Sequence, residues 1–265
     1  MKKYVVIGNP LDHSLSPKIH NFWFQENKIN ATYNKETLID EDLENFIKMI
    51  KDKKIEGANI TVPFKEKIIK FIDILSDEAK DANSVNTIYM SENNIIGHNT
   101  DIAGFYLSLK PETINLKDKN VLILGAGGVT PSIILGLRMM GVKKIIVTNR
   151  TKDKALKLKE RFSFIEVLNW GETAKANVII NTTSVGLDKT DEIQLDESLF
   201  TSDTFFYDVI YNPKETNLLK KAKNKGCMVQ NGLMMFINQA AASFKTWHNI
   251  MPNVDKNLIK FLLND

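Results

Sequence analysis

A glycine-rich turn between an apolar strand and a helix is the feature that most limits the fold of this chain. Residues 121–124 predict a buried strand, and residues 131–140 predict a helix that Gly141 ends. Between them lies Gly125-Ala126-Gly127-Gly128-Val129, with Thr130 where the usual G-x-G-x-x-G pattern has its third glycine. Glycines let backbone amides approach a pyrophosphate, and a helix N-terminus favours its negative charge. A tight turn without a ligand is the alternative, but the position in a β-α-β unit favours a dinucleotide site.

Strands and helices alternate along most of the chain. Residues 3–7 predict a buried strand, residues 17–27 predict a helix with Ser16 as its N-cap, and Pro63 is expected to open another helix. Residues 87–90 and 95–98 flank a polar turn and predict a hairpin. This alternation predicts an α/β fold with two domains, an N-terminal α/β substrate domain and a Rossmann-like, doubly wound parallel-sheet domain that binds a dinucleotide.

We expect the substrate domain to span residues 1–102 and the dinucleotide-binding domain to span residues 103–236. The chain from Leu233 onward is expected to be helical almost to its end. Its helices within residues 237–265 are expected to rejoin the first domain.

The end of the second strand of the dinucleotide-binding domain indicates which dinucleotide is bound. An NAD site has a carboxylate there to hold the ribose 2′-hydroxyl. This chain instead has Asn149-Arg150-Thr151, followed by Lys154. A guanidinium suits a 2′-phosphate, which a carboxylate would repel, and the alternative is a solvated loop cation. The sequence therefore favours NADP as the cofactor.

Polar residues are concentrated at strand ends in the first half of the chain, and each has a structural explanation as well as a functional one. Ser16 and Asp101 could cap helices, while Asn59 and Asn86 could bond loop backbone. Lys65 could be a surface lysine, although the first turn of a helix is an unfavourable place for a cation. The remaining members of this group are Ser14 and Thr61.

Composition excludes several classes of protein. The 265 residues carry a net charge of +3 with 43% hydrophobic content, typical of a globular protein, and Cys227 is the single cysteine. No internal disulfide can form, and no apolar run suits a signal peptide or a membrane span, so the cytoplasm is the expected location. Acidic residues interrupt the lysines of residues 152–161, which argues against a nucleic-acid surface. The four histidines lack metal-ligand spacing, and we expect no metal.

Motifs in one fixed order resemble the shikimate dehydrogenase family and cover nearly the whole chain. They are His13-Ser14-Leu15-Ser16-Pro17, Asn59-Ile60-Thr61-Val62-Pro63-Phe64-Lys65, Val85-Asn86-Thr87, Asn99-Thr100-Asp101, the glycine turn, Asn149-Arg150-Thr151, Asn181-Thr182-Thr183-Ser184-Val185-Gly186, Tyr211-Asn212-Pro213, Gly232-Leu233-Met234 and Gln239-Ala240-Ala241. The resemblance implies reversible NADPH-dependent reduction of 3-dehydroshikimate to shikimate, in aromatic amino-acid (chorismate) biosynthesis. We expect a monomer or homodimer, a choice that the sequence leaves open.

The same resemblance implies roles for individual residues. Lys65 would transfer the proton with Asp101 as its partner, since carbonyl reduction needs one positioned acid/base group. Ser14, Ser16, Thr61 and Tyr211 would hold the substrate carboxylate, and Asn59, Asn86, Asp101 and Gln239 would bind the ring hydroxyls. The cofactor would contact Gly125, Ala126, Gly127, Gly128, Val129, Asn149, Arg150, Thr151, Lys154, Thr183 and Gly232.

Three departures from the family pattern and three alternative functions stay open, and one of the departures is Asn217, which replaces a frequent proline after Thr216. Thr130-Pro131 could change the contacts to the diphosphate, and Asn83 replaces a glycine in a turn that asparagine tolerates. A relative that also acts on quinate, with NAD, is disfavoured by Ser14, Ser16 and Arg150. A catalytically silent dinucleotide-binding regulator is disfavoured by the Lys65–Asp101 pair. A folate-cycle dehydrogenase would have no obvious use for the serines.

Overall fold

The computed structural model describes residues 1–109, 114–172, 174–188 and 190–264, which fall into two compact units. The first unit comprises Met1–Gly104 and Ile237–Asp265, and the second comprises Phe105–Phe236. Of the residues that the structure does not describe, 110–113, 173 and 189 belong to the expected dinucleotide-binding domain and 265 to the expected C-terminal helices.

The first unit is built on one mixed sheet with the strand order β2-β1-β3-β5-β6-β4. Its strands are β1 (Lys2–Gly8), β2 (Ala31–Thr37), β3 (Gly57–Ile60), β4 (Ile74–Leu75), β5 (Thr87–Ser91) and β6 (Asn94–His98). Strand β1 pairs in parallel with β2 and β3, whereas β5 runs antiparallel to both β3 and β6. The predicted hairpin is therefore confirmed as β5–β6.

Helices α1 (Ser16–Glu26), α2 (Leu43–Lys51), α3 (Asp77–Ala82) and α4 (Asp101–Ser108) follow the strands. Asn83 ends α3 in the left-handed region at φ 42°, as the sequence predicts. An apolar face of α2, formed by Leu43, Phe46, Ile47 and Ile50, packs into the core with β1 and β3.

The second unit is a parallel sheet with the order β12-β11-β10-β7-β8-β9, the doubly wound arrangement expected from the sequence. The strands are β7 (Asn120–Leu124), β8 (Lys144–Thr148), β9 (Glu166–Leu168), β10 (Val178–Asn181), β11 (Phe205–Asp208) and β12 (Met228–Gln230). Helices α5 (Thr130–Met139), α6 (Lys152–Arg161) and α7 (Asn217–Asn224) connect them. Because β7 is buried on both faces, alternate residues of it enter two separate cores.

The chain ends in α8 (Leu233–His248) and α9 (Lys256–Leu263). The expectation that the chain is helical from Leu233 almost to its end is wrong for residues 249–255, which separate the two helices. Asn249 has φ 55°, which stops α8, and the Asp255 carboxylate caps α9 by accepting from two backbone N–H groups. Within the described part of the chain, none of the helices combines the length and apolarity that crossing a bilayer requires.

Two local predictions near the expected substrate residues are also wrong. Pro63 does not open an α-helix, because residues 62–66 form turns and only a 3-10 helix follows at Lys67–Phe71. Lys65 thus lies outside any helix, and the helix-dipole argument for its function does not hold. Ser16 is not an N-cap either: it is the first helical residue of α1, and the N-cap position is Leu15, whose side chain makes no cap hydrogen bond.

Candidate active site

Lys65 and Asp101 form a buried ion pair in the first unit. The Lys65 Nζ atom lies 2.5 Å from the Asp101 Oδ2 atom, and the two residues are 9% and 4% exposed. The Val85 backbone N–H donates to the Lys65 carbonyl at 2.9 Å and so holds the turn that carries the lysine. Asp101 could have capped α4, but Asn99 does so instead, accepting from the N–H groups of Asp101 and Ile102. The Asp101 carboxylate is therefore available to the lysine.

Asn86 orients the second oxygen of this carboxylate. Its Oδ1 atom accepts from the Thr100 backbone N–H at 2.8 Å, which fixes the amide so that Nδ2 donates to Asp101 Oδ1 at 3.0 Å. The same Nδ2 atom lies 3.3 Å from the Gln239 Oε1 atom. Four of the predicted site residues, Lys65, Asn86, Asp101 and Gln239, are therefore in one hydrogen-bonded group.

Asn59 is buried and contacts this group through the backbone of Asn86. Its Oδ1 atom accepts from the Tyr33 hydroxyl at 2.7 Å, and its Nδ2 atom lies 3.1 Å from the Asn86 carbonyl and 3.0 Å from the Ser243 hydroxyl. Ser243 also lies 2.7 Å from the Thr87 hydroxyl. Both N–H groups of Asn59 are thus used within the protein, which leaves one lone pair of Oδ1 for a ligand.

Sequence reasoning missed three supporting residues of this network: Tyr33, Thr87 and Ser243. Thr87 directly follows Asn86 in the motif Val85-Asn86-Thr87, which is a usable signal. Ser243 is four residues after Gln239 on α8 and shares its face of the helix, a second usable signal. Nothing in the local sequence singles out Tyr33.

An aromatic cluster packs behind Tyr33. The His20 ring stacks on Tyr33 with 4.4 Å between centroids and 5° between planes. Neither His20 nitrogen has a hydrogen-bond partner among the described residues. Burial lowers the pKa of His20 to about 3, with a smaller contribution from His248 and an opposing one from the Asn59 amide. The ring is therefore neutral near pH 7 and packs as an apolar group.

The two predicted serines form a separate group. The hydroxyls of Ser14 and Ser16 are 3.3 Å apart, and the Ser16 N–H donates to the Ser14 hydroxyl at 3.3 Å. Thr61 follows β3, and its methyl group packs against Gly8. A Cβ atom added to Gly8 would lie only 2.4 Å from that methyl group. No hydrogen bond between described residues links the serine pair to Lys65. Tyr211 belongs to the second unit, where its ring stacks on Phe236 with 4.5 Å between centroids.

The glycine turn of the second unit leaves room for a ligand at the N-terminus of α5. Gly125 has φ 117°, and a Cβ atom there would lie 2.6 Å from the Thr182 hydroxyl, so only glycine fits. An added Cβ atom on Gly127 would meet nothing within 4 Å. The Ala126 N–H donates to Asn149 Oδ1 at 3.0 Å, which ties the turn to the end of β8. Gly128 and Val129 complete the turn before the helix.

Thr130, which stands where the third glycine is usual, is fully buried. Its hydroxyl lies 2.9 Å from the Thr182 hydroxyl and 3.3 Å from the Gly125 carbonyl. The side chain therefore packs inside the protein and leaves the ligand side of the turn free.

The predicted residues for the 2′-phosphate lie at the start of α6, where Arg150, Thr151 and Lys154 are exposed and Asn149 is half-buried. The Arg150 guanidinium has no hydrogen-bond or ion-pair partner within the described ranges, so it is available to an anion. Asn149 Nδ2 donates to the Thr151 carbonyl at 2.8 Å, and Lys154 lies one turn onward. An open glycine turn, a helix N-terminus and a free guanidinium fit the charge and shape of NADP.

The last two predicted cofactor residues have defined structural contacts. Thr183 donates from its backbone N–H and its hydroxyl to Asn181 Oδ1, at 3.0 and 2.7 Å. Gly232 passes so close to the backbone of Val209 that an added Cβ atom would lie 2.1 Å from its carbonyl oxygen. Among the described residues, no cluster of three or more His, Cys, Asp or Glu side chains could hold a metal ion.

Comparison with known proteins identifies the family. Residues 6–88 match the family model of the shikimate dehydrogenase substrate binding domain, residues 108–215 match that of shikimate / quinate 5-dehydrogenase, and residues 232–256 match that of the shikimate 5′-dehydrogenase C-terminal domain. The shikimate dehydrogenase (NADP(+)) of Pelagibacter ubique strain HTCC1062 is 53% identical over 261 residues, 98% of each chain. The chain belongs to the shikimate dehydrogenase family.

Solved structures of family members agree with this fold. The shikimate dehydrogenase of Aquifex aeolicus is 39% identical, with a TM-score of 0.91, and the match covers 100% of this chain and 98% of that one. The shikimate 5-dehydrogenase of Thermus thermophilus, in complex with NADP(H) and shikimate, is 33% identical with a TM-score of 0.89 and 99% of each chain covered. The two α/β units of this chain are therefore those of the family.

Proposed function

We propose that this chain catalyses the reversible NADPH-dependent reduction of 3-dehydroshikimate to shikimate, a step of chorismate and aromatic amino-acid biosynthesis. The buried Lys65–Asp101 pair, oriented by Asn86, is the observation that carries this proposal. It is supported by full-length relatives that are NADP-dependent shikimate dehydrogenases and by a family structure that contains both ligands.

The reaction needs one hydride and one proton, and this chain supplies the proton. Bound NADPH provides the hydride chemistry. The Lys65 ammonium donates its proton to the carbonyl oxygen as negative charge develops there, and it accepts a proton from the hydroxyl in the reverse direction. Asp101 holds the ammonium in place through Oδ2, because its Oδ1 is already bonded to Asn86. Exchange with solvent then restores the proton on Lys65.

The remaining residues bind and orient the substrate. Ser14 and Ser16, with Thr61 and Tyr211, would hold the carboxylate through neutral donors. Several such donors can replace the water that the carboxylate loses on binding. Asn86 and Gln239 would bind ring hydroxyls. Asn59 would accept from a hydroxyl through the free lone pair of Oδ1, since both its N–H groups are used internally.

The second unit would bind the cofactor along the carboxyl edge of its sheet. The glycine turn, residues 125–129, would receive the diphosphate, and Asn149, Arg150, Thr151 and Lys154 would surround the 2′-phosphate. Thr183 and Gly232 would complete the site. We also propose that the enzyme is cytoplasmic, acts as a monomer or homodimer and has no nucleic-acid partner, in keeping with its near-neutral charge and single cysteine.

Absorbance of the reduced nicotinamide tests this function directly. The purified protein is mixed with shikimate or quinate, each with NADP or NAD, and the four rates are compared. We expect the highest kcat/KM for shikimate with NADP, and a kcat that Lys65→Met lowers by roughly 10²–10⁴-fold. Absence of NADP reduction with shikimate would reject the proposal, and a higher kcat/KM for quinate with NAD would favour the related quinate activity.

A further inference from the structure

Asp208 is a fully buried carboxylate that the proposed reaction does not use. It is the last residue of β11, at the carboxyl edge of the sheet in the second unit. Its Oδ1 atom accepts from the Ile210 backbone N–H at 3.0 Å and from Asn181 Nδ2 at 3.1 Å, and its Oδ2 atom accepts from the Thr216 hydroxyl at 2.8 Å. Through these hydrogen bonds, one side chain connects the ends of two neighbouring strands with the start of α7.

The bond to Asn181 reaches the loop after β10. While Asn181 Nδ2 donates to Asp208, Asn181 Oδ1 accepts from the backbone N–H and the hydroxyl of Thr183. Asn181 Nδ2 also donates to the Val185 carbonyl at 3.1 Å. Asp208 and the Val185 carbonyl thus accept from the same amide nitrogen of Asn181, and the oxygen of that amide accepts from Thr183. Thr183 is therefore linked to Asp208 through a single amide group.

The other two bonds close the loop after β11. Ile210 lies just before Tyr211, and Thr216 is the N-cap of α7, where its hydroxyl accepts from the Leu219 N–H at 3.3 Å. That hydroxyl has one proton, which it donates to Asp208. Residues 209–215 are consequently held at both ends by the same carboxylate, with Tyr211 between the two attachment points.

Three neutral donors surround this carboxylate, and it forms no ion pair with the described residues. Burial raises the pKa of Asp208 to about 6, and the hydrogen bonds from Ile210, Thr216 and Asn181 lower it less than burial raises it. The titratable group that adjoins it in the chain is the buried Tyr207 phenol, whose pKa is itself raised by burial. A buried carboxylate without a cation destabilises the fold, so stability alone does not account for an acid here.

We propose that Asp208 is a positioning residue, which joins the loops after β10 and β11 and so sets the positions of Thr183 and Tyr211. This inference rests on the proposed function, because it assigns Thr183 to the cofactor and Tyr211 to the substrate. It predicts that weaker hydrogen bonds to Asp208 make both loops more mobile and lower the affinity for both ligands. The stability of the fold should not fall to a matching extent.

Asp208→Asn tests the proposal, because the amide keeps the shape but loses one acceptor oxygen. We expect a KM for shikimate and a Kd for NADPH that each rise about tenfold, the usual effect of one charge-assisted hydrogen bond. Amide hydrogen exchange in residues 183–185 and 209–215 should accelerate in the same variant. The unfolding temperature should stay within about 3 °C of wild type, since the substitution also removes a buried charge.

Two matched variants of Thr216 provide a second test in case Asp208→Asn folds poorly. Thr216→Val removes the hydroxyl and should raise both constants about threefold, whereas Thr216→Ser keeps it and should match wild type. Unchanged ligand constants and unchanged exchange in Asp208→Asn would overturn the proposal, as would equal effects of the two Thr216 variants. NADPH affinity and hydrogen exchange need no turnover. A failure of the proposed shikimate activity is therefore seen separately, in the wild-type assay.

Discussion

Replacing Lys65 by methionine separates its chemical role from its structural one. The substitution keeps most of the side-chain volume but leaves the Asp101 carboxylate, 4% exposed, without its cation. Breaking a buried pair in this way costs about 3–5 kcal/mol of unfolding free energy. We expect the lower end, about 3 kcal/mol, because Asn86 still donates to Asp101. Loss of the proton donor should lower kcat by roughly 10²–10⁴-fold, with a much smaller change in KM.

Lys67 provides the matched control two residues away. Its Nζ atom lies 2.5 Å from the Asp40 Oδ2 atom, as close as in the buried pair, but these side chains are 45% and 53% exposed. An exposed ion pair contributes about 0–1 kcal/mol. Lys67→Met should therefore lose less than about 1 kcal/mol and keep the wild-type kcat.

Steady-state kinetics and urea unfolding measure both effects. Adding Asp101→Asn to Lys65→Met should recover part of the lost stability, because it removes the unpaired charge, while activity stays low. A kcat for Lys65→Met within about threefold of wild type would remove Lys65 from the chemistry. Equal stability losses in Lys65→Met and Lys67→Met would refute the argument from burial.

Three further predictions concern the cofactor site and the buried histidine. Arg150→Ala should lower the ratio of kcat/KM for NADP over NAD by about ten- to a hundredfold, whereas Arg138→Ala, which removes a guanidinium stacked on Phe164, should leave it unchanged. Gly127→Ala should keep the unfolding temperature but weaken NADPH binding at least about tenfold in a fluorescence titration, because its Cβ atom enters the open side of the turn. The pKa of His20 is lowered to about 3, so the unfolded chain binds this proton more readily and stability is lost as pH falls below about 6.5. Urea unfolding should show a loss of about 2 kcal/mol from this source between pH 7 and pH 5, and His20→Phe should abolish it.

Much of the fold could be predicted because the signals were local. The apolar strand β7, the glycine turn and α5 follow each other within about twenty residues, and each leaves a short-range pattern. The hairpin β5–β6 was equally clear from its turn. Strands β2, β9 and β12 were not predicted. The sequence of β2, ATYNKET, is mostly polar, and the three residues of β9 or β12 carry too little pattern to separate a strand from a loop.

The failed predictions have a common physical cause. A proline after a strand is compatible with a helix start, but the chain after Pro63 forms turns that bring the Lys65 carbonyl to the Val85 N–H, a long-range bond. Asp101 was a reasonable cap by residue type, yet Asn99, two residues earlier, takes that role. Local propensity decides neither case, because the hydrogen bonds that form depend on the tertiary fold and not on residue type alone.

The register of one hairpin accounts for how the candidate site is assembled. Thr87 pairs with His98 across β5 and β6, and the Asn86 N–H donates to the His98 carbonyl at 3.0 Å. Asn86 therefore lies beside the residues that follow His98, and its amide meets both Thr100 and Asp101. A slip of one residue would turn every side chain of β5 to the opposite face of the sheet. The residues flanking this hairpin thus place the carboxylate that holds Lys65, so the geometry of the proposed catalytic pair depends on strand pairing.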